Sequence, residues 1–168
     1  MYVTYPATIQ VSGATLVRAP APAAANFHPD FAALEAAITP RTRAIFLATP
    51  SNPSGIVLSE RDVASLADIA QRHRLWIVAD EVYAGLGEGG RVPSLGARLP
   101  EQVLTVSSLS KTHAMTGWRA GWIVGPAEIV RAAGDVSACM LYGLPGFIQE
   151  AAIIALELAD ESERVMRE

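Results

Sequence analysis

Four short runs of mostly apolar residues recur between residues 44 and 125, and polar residues do not alternate through them. They are Ala44–Ala48, Leu75–Ala79, Val103–Val106 and Gly121–Gly125. Continuous apolar runs of this length predict buried strands of the kind found in parallel sheets, which are covered on both faces. The run Ala14–Val17 predicts a weaker strand upstream.

The segments between these runs predict helices and loops. Ser59 is a candidate N-cap for a helix whose apolar residues share one face. These residues are Val63, Leu66, Ala67, Ile69 and Ala70. Asp30 caps a second predicted helix, Pro126 opens a third and Ile148–Leu158 forms a fourth, while Gly85–Pro93 is a loop. Strands that alternate with helices predict an α/β fold, in which helices sandwich a mostly parallel sheet.

Composition narrows the class of protein. The chain has 168 residues, 51% hydrophobic and 18% charged, with a net charge of −4. Such a chain can bury a substantial core, and it has no basic block that would favour nucleic acid or an anionic membrane. Its single cysteine, Cys139, rules out an internal disulfide. The N-terminal residues do not resemble a signal peptide, and no apolar run is long enough to cross a bilayer. We therefore expect a cytoplasmic protein with no membrane partner.

Three polar residues follow directly after predicted strands. Asn52, Asp80 and Lys111 each lie just beyond the carboxyl end of an apolar run. In open α/β sheets, ligands bind outside the carboxyl ends of the strands. We therefore expect these three side chains to converge on one rim of the sheet and to form the functional site.

The chemistry around Lys111 suits a ligand that carries an aldehyde and a phosphate. A lysine amine can bond covalently to an aldehyde, and the Ser108 hydroxyl and the Arg119 guanidinium are suitable phosphate donors. Taken alone, however, a lysine such as Lys111 is more often a solvated surface residue.

A carboxylate and two hydrogen-bonding residues extend this pattern. Asp80 lies at the end of a predicted buried strand, where an ionised carboxylate requires a cationic partner such as a protonated pyridine nitrogen. The alternative interpretation is that Asp80 caps the next turn. Tyr83 and Asn52 could donate to a phenolic oxygen on the same ring, although Asn52 also begins an ordinary turn sequence. Glu81 is interpreted as structural, and no metal site is predicted.

Taken together, the motifs resemble the class I/II aminotransferases, which are fold-type I enzymes that use pyridoxal 5'-phosphate. The resemblance covers essentially the whole chain. The motifs that carry it are Ser51–Gly55, Asp80–Tyr83, Ser108–Lys111 and Gly117–Trp122.

The resemblance implies a role for each candidate residue. Lys111 is implied to be the catalytic Schiff-base lysine and Asp80 the partner of the pyridine nitrogen. The remaining residues are implied to bind other parts of the cofactor. Asn52 and Tyr83 would contact its phenolic oxygen, Ser108 and Arg119 its phosphate, and Tyr2, in the segment Met1–Pro6, would stack on its ring.

The resemblance also implies an activity. Family members move an amino group from an amino acid to a 2-oxo acid and act as homodimers. The strings Ser110–Trp122 and Cys139–Gly143 resemble arginine–pyruvate transaminases, which implies arginine and pyruvate as substrates. A C–S lyase or a decarboxylase could share every motif, because fold does not fix reaction. An aminotransferase-like sensor domain of a transcription regulator and a non-catalytic remnant are further alternatives.

Length sets a further expectation. Family members are more than twice as long as this chain. Neither the upstream helix start that cradles the phosphate nor the C-terminal small domain has a counterpart here. We therefore expect residues 1–168 to be a single partial large domain, truncated at both ends and inactive by itself.

Overall fold

A four-stranded sheet organises the protein, as seen in a computed structural model that describes residues 2–87 and 92–168. Its strands are β1 (Ala44–Ala48), β2 (Trp76–Asp80), β3 (Val103–Ser108) and β4 (Gly121–Val124), and they lie in the order β1-β2-β3-β4. The first three strands are parallel, and β4 is antiparallel to β3. The prediction of a mostly parallel sheet is therefore confirmed.

The strand register brings the carboxyl ends of the parallel strands to one edge. Asp80 lies between Ala48 on β1 and Val106 on β3. Because β4 runs the other way, it begins at this edge, with Gly121 opposite Ser108. A Cβ at position 121 would lie 2.8 Å from the Ser107 carbonyl oxygen, so the close approach of the two strands requires glycine.

Eight helices surround the sheet in the part of the chain that is described. They are α1 (Tyr5–Val11), α2 (Phe31–Ala36), α3 (Glu60–His73), α4 (Leu95–Arg98), α5 (Leu109–Thr112), α6 (Ala127–Leu141), α7 (Gly146–Glu157) and α8 (Ala159–Arg167). Short 3₁₀ turns at Ala23–Ala25, Ala84–Leu86 and Thr116–Trp118 join some of these elements.

Helix α3 forms as its sequence predicts. The Ser59 hydroxyl accepts a hydrogen bond from the Asp62 N–H, and the Asp62 carboxylate accepts one from the Ser59 N–H, which makes a capping box. The helix ends at Arg74, whose φ of 53° turns the backbone out of the helix. All five residues expected on its apolar face are buried. The prediction of this helix, its cap and its inward face is confirmed.

The hydrophobic core lies between the parallel strands and α3 with α4. Its largest fully buried side chains include Leu66, Ile77, Leu95 and Val103. Phe31, Leu34 and Ile38, around α2, pack against the margin of this core. This packing fixes β1, β2 and β3 relative to one another, and so it fixes the loops that leave their carboxyl ends.

The far side of the structure is much more open. None of α6, α7 and α8 has a buried residue, and all four residues of β4 are exposed. Large apolar side chains such as Tyr142, Phe147 and Ile154 face solvent there. Within residues 2–87 and 92–168, none of the helices combines the length and the apolar character needed to span a bilayer.

Some predicted elements differ from the structure. The strand expected at Ala14–Val17 is wrong: the segment is irregular and Val17 is 65% exposed. The described sheet offers it no ladder partner, and apolar character alone does not make a strand. Pro126 is the N-cap of α6 rather than a residue of its first turn. The predicted loop Gly85–Pro93 begins with a 3₁₀ turn, and residues 88–91 lie outside the described residues.

Candidate active site

Asp80 is the last residue of β2, and two donors hold its carboxylate. Its Oδ1 accepts a hydrogen bond from the Val82 N–H at 3.0 Å, and its Oδ2 accepts one from the Tyr5 hydroxyl. The backbone around it is also paired, because the Asp80 carbonyl accepts from the Thr49 N–H at 3.0 Å. A half-buried carboxylate is thus fixed in the middle of the carboxyl edge.

The loop after β1 presents Asn52 to the same edge. The loop is closed by a hydrogen bond from the Ser51 N–H to the Ile56 carbonyl at 2.9 Å, and Gly55 has a φ of 72°, which favours glycine. The peptide bonds before Pro50 and Pro53 are cis. The Asn52 side-chain amide donates to the Tyr83 hydroxyl at 3.3 Å.

Tyr83 and Lys111 meet beyond the ends of β2 and β3. Lys111 lies in the single turn of α5, and its Nζ is 5.9 Å from the centroid of the Tyr83 ring. An ammonium at this distance from an aromatic face is attracted to the ring. Asn52, Tyr83 and Lys111 therefore form one contiguous cluster, supplied by three different loops.

Ser108 and Arg119 lie on two backbone segments that are hydrogen-bonded to each other. The Leu109 N–H donates to the Ala120 carbonyl at 3.2 Å, which joins the residue after Ser108 to the residue after Arg119. The Ser108 hydroxyl accepts from the Ser110 N–H at 3.2 Å and keeps its own proton to donate. The Arg119 guanidinium donates to the Thr116 carbonyl at 2.9 Å, which leaves most of its five N–H groups for other acceptors.

Aromatic residues of the N-terminal segment complete the surroundings. The Tyr2 ring packs edge-on against Tyr5 at a centroid distance of 5.6 Å, and Tyr5 in turn packs against Phe46 at 4.6 Å. The sequence analysis singled out Tyr2 and missed Tyr5, although Tyr5 is the residue that contacts Asp80. The sequence feature that could have pointed to Tyr5 was a second tyrosine in the same segment, since a partly buried phenol needs a hydrogen-bond partner.

Two neighbouring titratable residues are held away from this cluster. Glu81 is buried, burial raises the pKa of its carboxyl, and the Ser94 hydroxyl donates to it at 3.0 Å. His113 Nδ1 lies 2.7 Å from the Thr112 hydroxyl, and its Nε2 is buried without a hydrogen-bond partner among the described residues. Within residues 2–87 and 92–168, no group of three His, Cys, Asp or Glu side chains could hold a metal ion.

Comparison with known proteins identifies the family. The family model described as aminotransferase class I and II matches residues 1–168, that is, the whole sequence. The chain therefore belongs to the class I and II aminotransferase family.

Individual relatives agree with this assignment. The chain is 44% identical over 171 residues to arginine–pyruvate transaminase AruH of Pseudomonas aeruginosa, a match that covers 100% of this chain and 43% of the relative. The solved aspartate aminotransferase of Thermus thermophilus with maleate superposes with a TM-score of 0.94 at 34% identity, covering 99% of this chain and 44% of the other. For the aromatic aminotransferase of Pyrococcus horikoshii the TM-score is 0.93 at 31% identity, with coverages of 99% and 46%.

These comparisons also define the extent of the match. The chain spans less than half the length of each of these relatives. Within that span the backbone has the fold-type I aminotransferase architecture, so the predicted fold class is confirmed.

The donor set fits pyridoxal 5'-phosphate, the cofactor on which this family generally depends. The edge offers an amine for an aldehyde, a carboxylate for a ring nitrogen and a phenol–amide pair for a phenolic oxygen. It also offers a hydroxyl and a guanidinium for a phosphate. Each belongs to a residue that the sequence analysis selected: Lys111, Asp80, Tyr83 with Asn52, and Ser108 with Arg119.

Proposed function

We propose that the full-length protein that contains this chain is a pyridoxal-phosphate-dependent aminotransferase. It would transfer an amino group from an amino acid to a 2-oxo acid. One observation carries the proposal: Lys111, Tyr83 and Asn52 form a cluster at the same sheet edge as the fixed carboxylate of Asp80.

The proposal gives each cluster residue a task. Lys111 would hold the cofactor through its side-chain amine, and its Nζ, when free, would take up and return the proton of the substrate α carbon. Asp80 pairs with the ring nitrogen and keeps it protonated. When bound, the cofactor supplies an electron-accepting ring, which makes that α-proton easier to remove.

The remaining residues orient the cofactor. Asn52 and Tyr83 would donate to the phenolic oxygen, while Asp80 at the end of β2 would hold the ring nitrogen. Ser108 and Arg119 bind the phosphate, for which a guanidinium is well suited because its N–H groups match two oxygens at once. Tyr2 is proposed to stack on the ring face.

We propose arginine as amino donor and pyruvate as acceptor. The support is the 44% identity to an arginine–pyruvate transaminase along the whole chain. We further propose that the chain is one partial large domain and that the full-length protein is a homodimer. The solvent-facing apolar residues of β4, α6 and α7 support both proposals, since large apolar patches mark surfaces that are covered in assemblies. The cytoplasmic location stays a prediction.

The test is product analysis with the purified full-length protein and added pyridoxal 5'-phosphate. Incubation with arginine and pyruvate should produce alanine and the 2-oxo acid of arginine in equal amounts, and Lys111→Ala should abolish both products. Alanine formed from another amino donor would support transamination and reject arginine. Release of carbon dioxide from arginine without alanine formation would contradict the proposal and favour a decarboxylase, and release of a thiol from an added cysteine S-conjugate would favour a C–S lyase.

A further inference from the structure

The hydrogen bond between Tyr5 and Asp80 joins two parts of the chain that are 75 residues apart. Tyr5 opens α1, whereas Asp80 ends β2. The two donors to Asp80 reach different oxygens, Val82 N–H at Oδ1 and the Tyr5 hydroxyl at Oδ2. A carboxylate held at both oxygens cannot rotate about its Cβ–Cγ bond without losing one of the two hydrogen bonds.

The Tyr5 ring is itself held by packing. Its neighbours are Phe46 on β1 at 4.6 Å and Tyr2 at 5.6 Å, measured between ring centroids. Tilted and edge-on aromatic pairs at such distances are favourable. The phenol is thus fixed by contacts that do not involve its hydroxyl, so Phe at position 5 would keep this packing.

The Tyr5 hydroxyl stays protonated in this environment. Burial raises the pKa of the Tyr5 phenol, and the hydrogen bond to Asp80 and the charge of Asp80 raise it further. At neutral pH, Tyr5 is therefore a donor to Asp80 and not a competing anion.

We propose that Tyr5 is a positioning residue, which holds the Asp80 carboxylate in the orientation that keeps the proton on the cofactor's ring nitrogen. The proposal rests on the proposed function, because it needs pyridoxal 5'-phosphate beside Asp80. A carboxylate has about four lone-pair sites, and the two donors leave acceptor capacity for a third partner. Removing the Tyr5 hydroxyl would free the carboxylate to rotate, which would weaken its ion pair with the protonated ring nitrogen and favour loss of that proton.

The experiment uses the full-length protein and pyridoxal 5'-phosphate labelled with ¹⁵N at the ring nitrogen. The ¹⁵N chemical shift of the bound cofactor reports whether this nitrogen is protonated, and equilibrium dialysis gives the dissociation constant. Tyr5→Phe is compared with Asp80→Asn and with the control Ser65→Ala, which removes the hydroxyl of an exposed residue on α3 that donates to the Arg61 carbonyl of the same helix at 2.9 Å.

We expect Tyr5→Phe to move the ¹⁵N signal toward the unprotonated value and to weaken cofactor binding about tenfold, as for a hydrogen bond to a charged group. Asp80→Asn should move the signal further in the same direction, and Ser65→Ala should leave it unchanged. A Tyr5→Phe protein with the wild-type signal and affinity would overturn the proposal. Failure of the wild-type protein to bind the cofactor would instead contradict the proposed function.

A second variant covers the case in which Tyr5→Phe fails to fold. 3-Fluorotyrosine, introduced only at position 5, keeps the shape of the side chain and makes the phenol a stronger donor. It should move the ¹⁵N signal toward the protonated value, opposite to Tyr5→Phe. An unmoved signal in this folded variant would also overturn the positioning role.

Discussion

The Asn52 side-chain amide donates a hydrogen bond to the Tyr83 hydroxyl at 3.3 Å, and so it connects the loops that follow β1 and β2. These strands are parallel neighbours, so their carboxyl ends open side by side. The hydrogen bond orients the Tyr83 hydroxyl, and the Tyr83 ring lies beneath Lys111. A single pair thereby couples two loops to the proposed cofactor-binding lysine.

Replacing Tyr83 by Phe tests the proposed contact with the phenolic oxygen. The change keeps the ring under Lys111 and removes one of the two donors that would stabilise the charge on that oxygen. The pH midpoint of the bound cofactor's visible absorption change should rise by roughly one unit, as expected for losing a hydrogen bond to a charged group.

Asn52→Ala should raise the same midpoint, and the double variant measures the coupling between the two residues. Ser65→Ala serves as the control, because it removes the hydroxyl of an exposed residue on α3. If the midpoint of the Tyr83→Phe protein equals that of the wild type, Tyr83 does not contact the phenolic oxygen.

Replacing Asp80 by Ala should lower the catalytic activity far more than replacing the adjacent Glu81 by Ala. Asp80 lies at the proposed site, whereas Glu81 is hydrogen-bonded to Ser94. Breaking a buried ion pair by removing one partner costs about 3–5 kcal/mol. Applied to the transition state, Asp80→Ala should lower kcat/KM on the order of a hundredfold or more. Steady-state kinetics on both variants gives the comparison, and equal losses would mean that the wrong carboxylate has been assigned.

Glu81 also leads to a prediction about stability and pH. Burial raises the pKa of its carboxyl above the ordinary value of 4.5. A raised acid pKa stabilises the fold below the unfolded-state value, and this contribution is lost as the pH rises through the folded-state pKa. Glu81→Gln cannot ionise, so its free energy of unfolding should improve relative to wild type between about pH 4 and neutrality.

Urea unfolding at several pH values measures this difference. Asp68→Asn is the control, since it removes a carboxylate from an exposed position on α3. A difference between wild type and Glu81→Gln that stays constant across this pH range would show that Glu81 has no raised pKa in the folded protein.

Much of the fold can be predicted from local sequence. The cap of α3 and its inward face depend on residues within the helix, because Ser59 and Asp62 are three positions apart and the apolar residues repeat with the helical period. The convergence of Asn52, Asp80 and Lys111 is also predictable, since parallel strands bring their carboxyl ends to one edge.

Contacts between distant segments could not be predicted in the same way. No local pattern pairs Tyr5 with Asp80, because the contact depends on where α1 lies after the sheet has formed. The strand expected at Ala14–Val17 is wrong for a related reason, since a strand exists only with a partner to bond to. Sequence patterns thus located the groups at the site, whereas their hydrogen-bond partners required the structure.

The most direct test of the account is to identify the residue that bonds covalently to pyridoxal 5'-phosphate. Lys111 is the only lysine among these 168 residues, so within this chain a lysine adduct can form at one place only. The full-length protein is loaded with cofactor, reduced with borohydride, digested and mapped by mass spectrometry. We predict one reduced adduct on Lys111, and Lys111→Ala should retain the cofactor only noncovalently. An adduct on a lysine elsewhere in the full-length protein, or no adduct at all, would contradict the account.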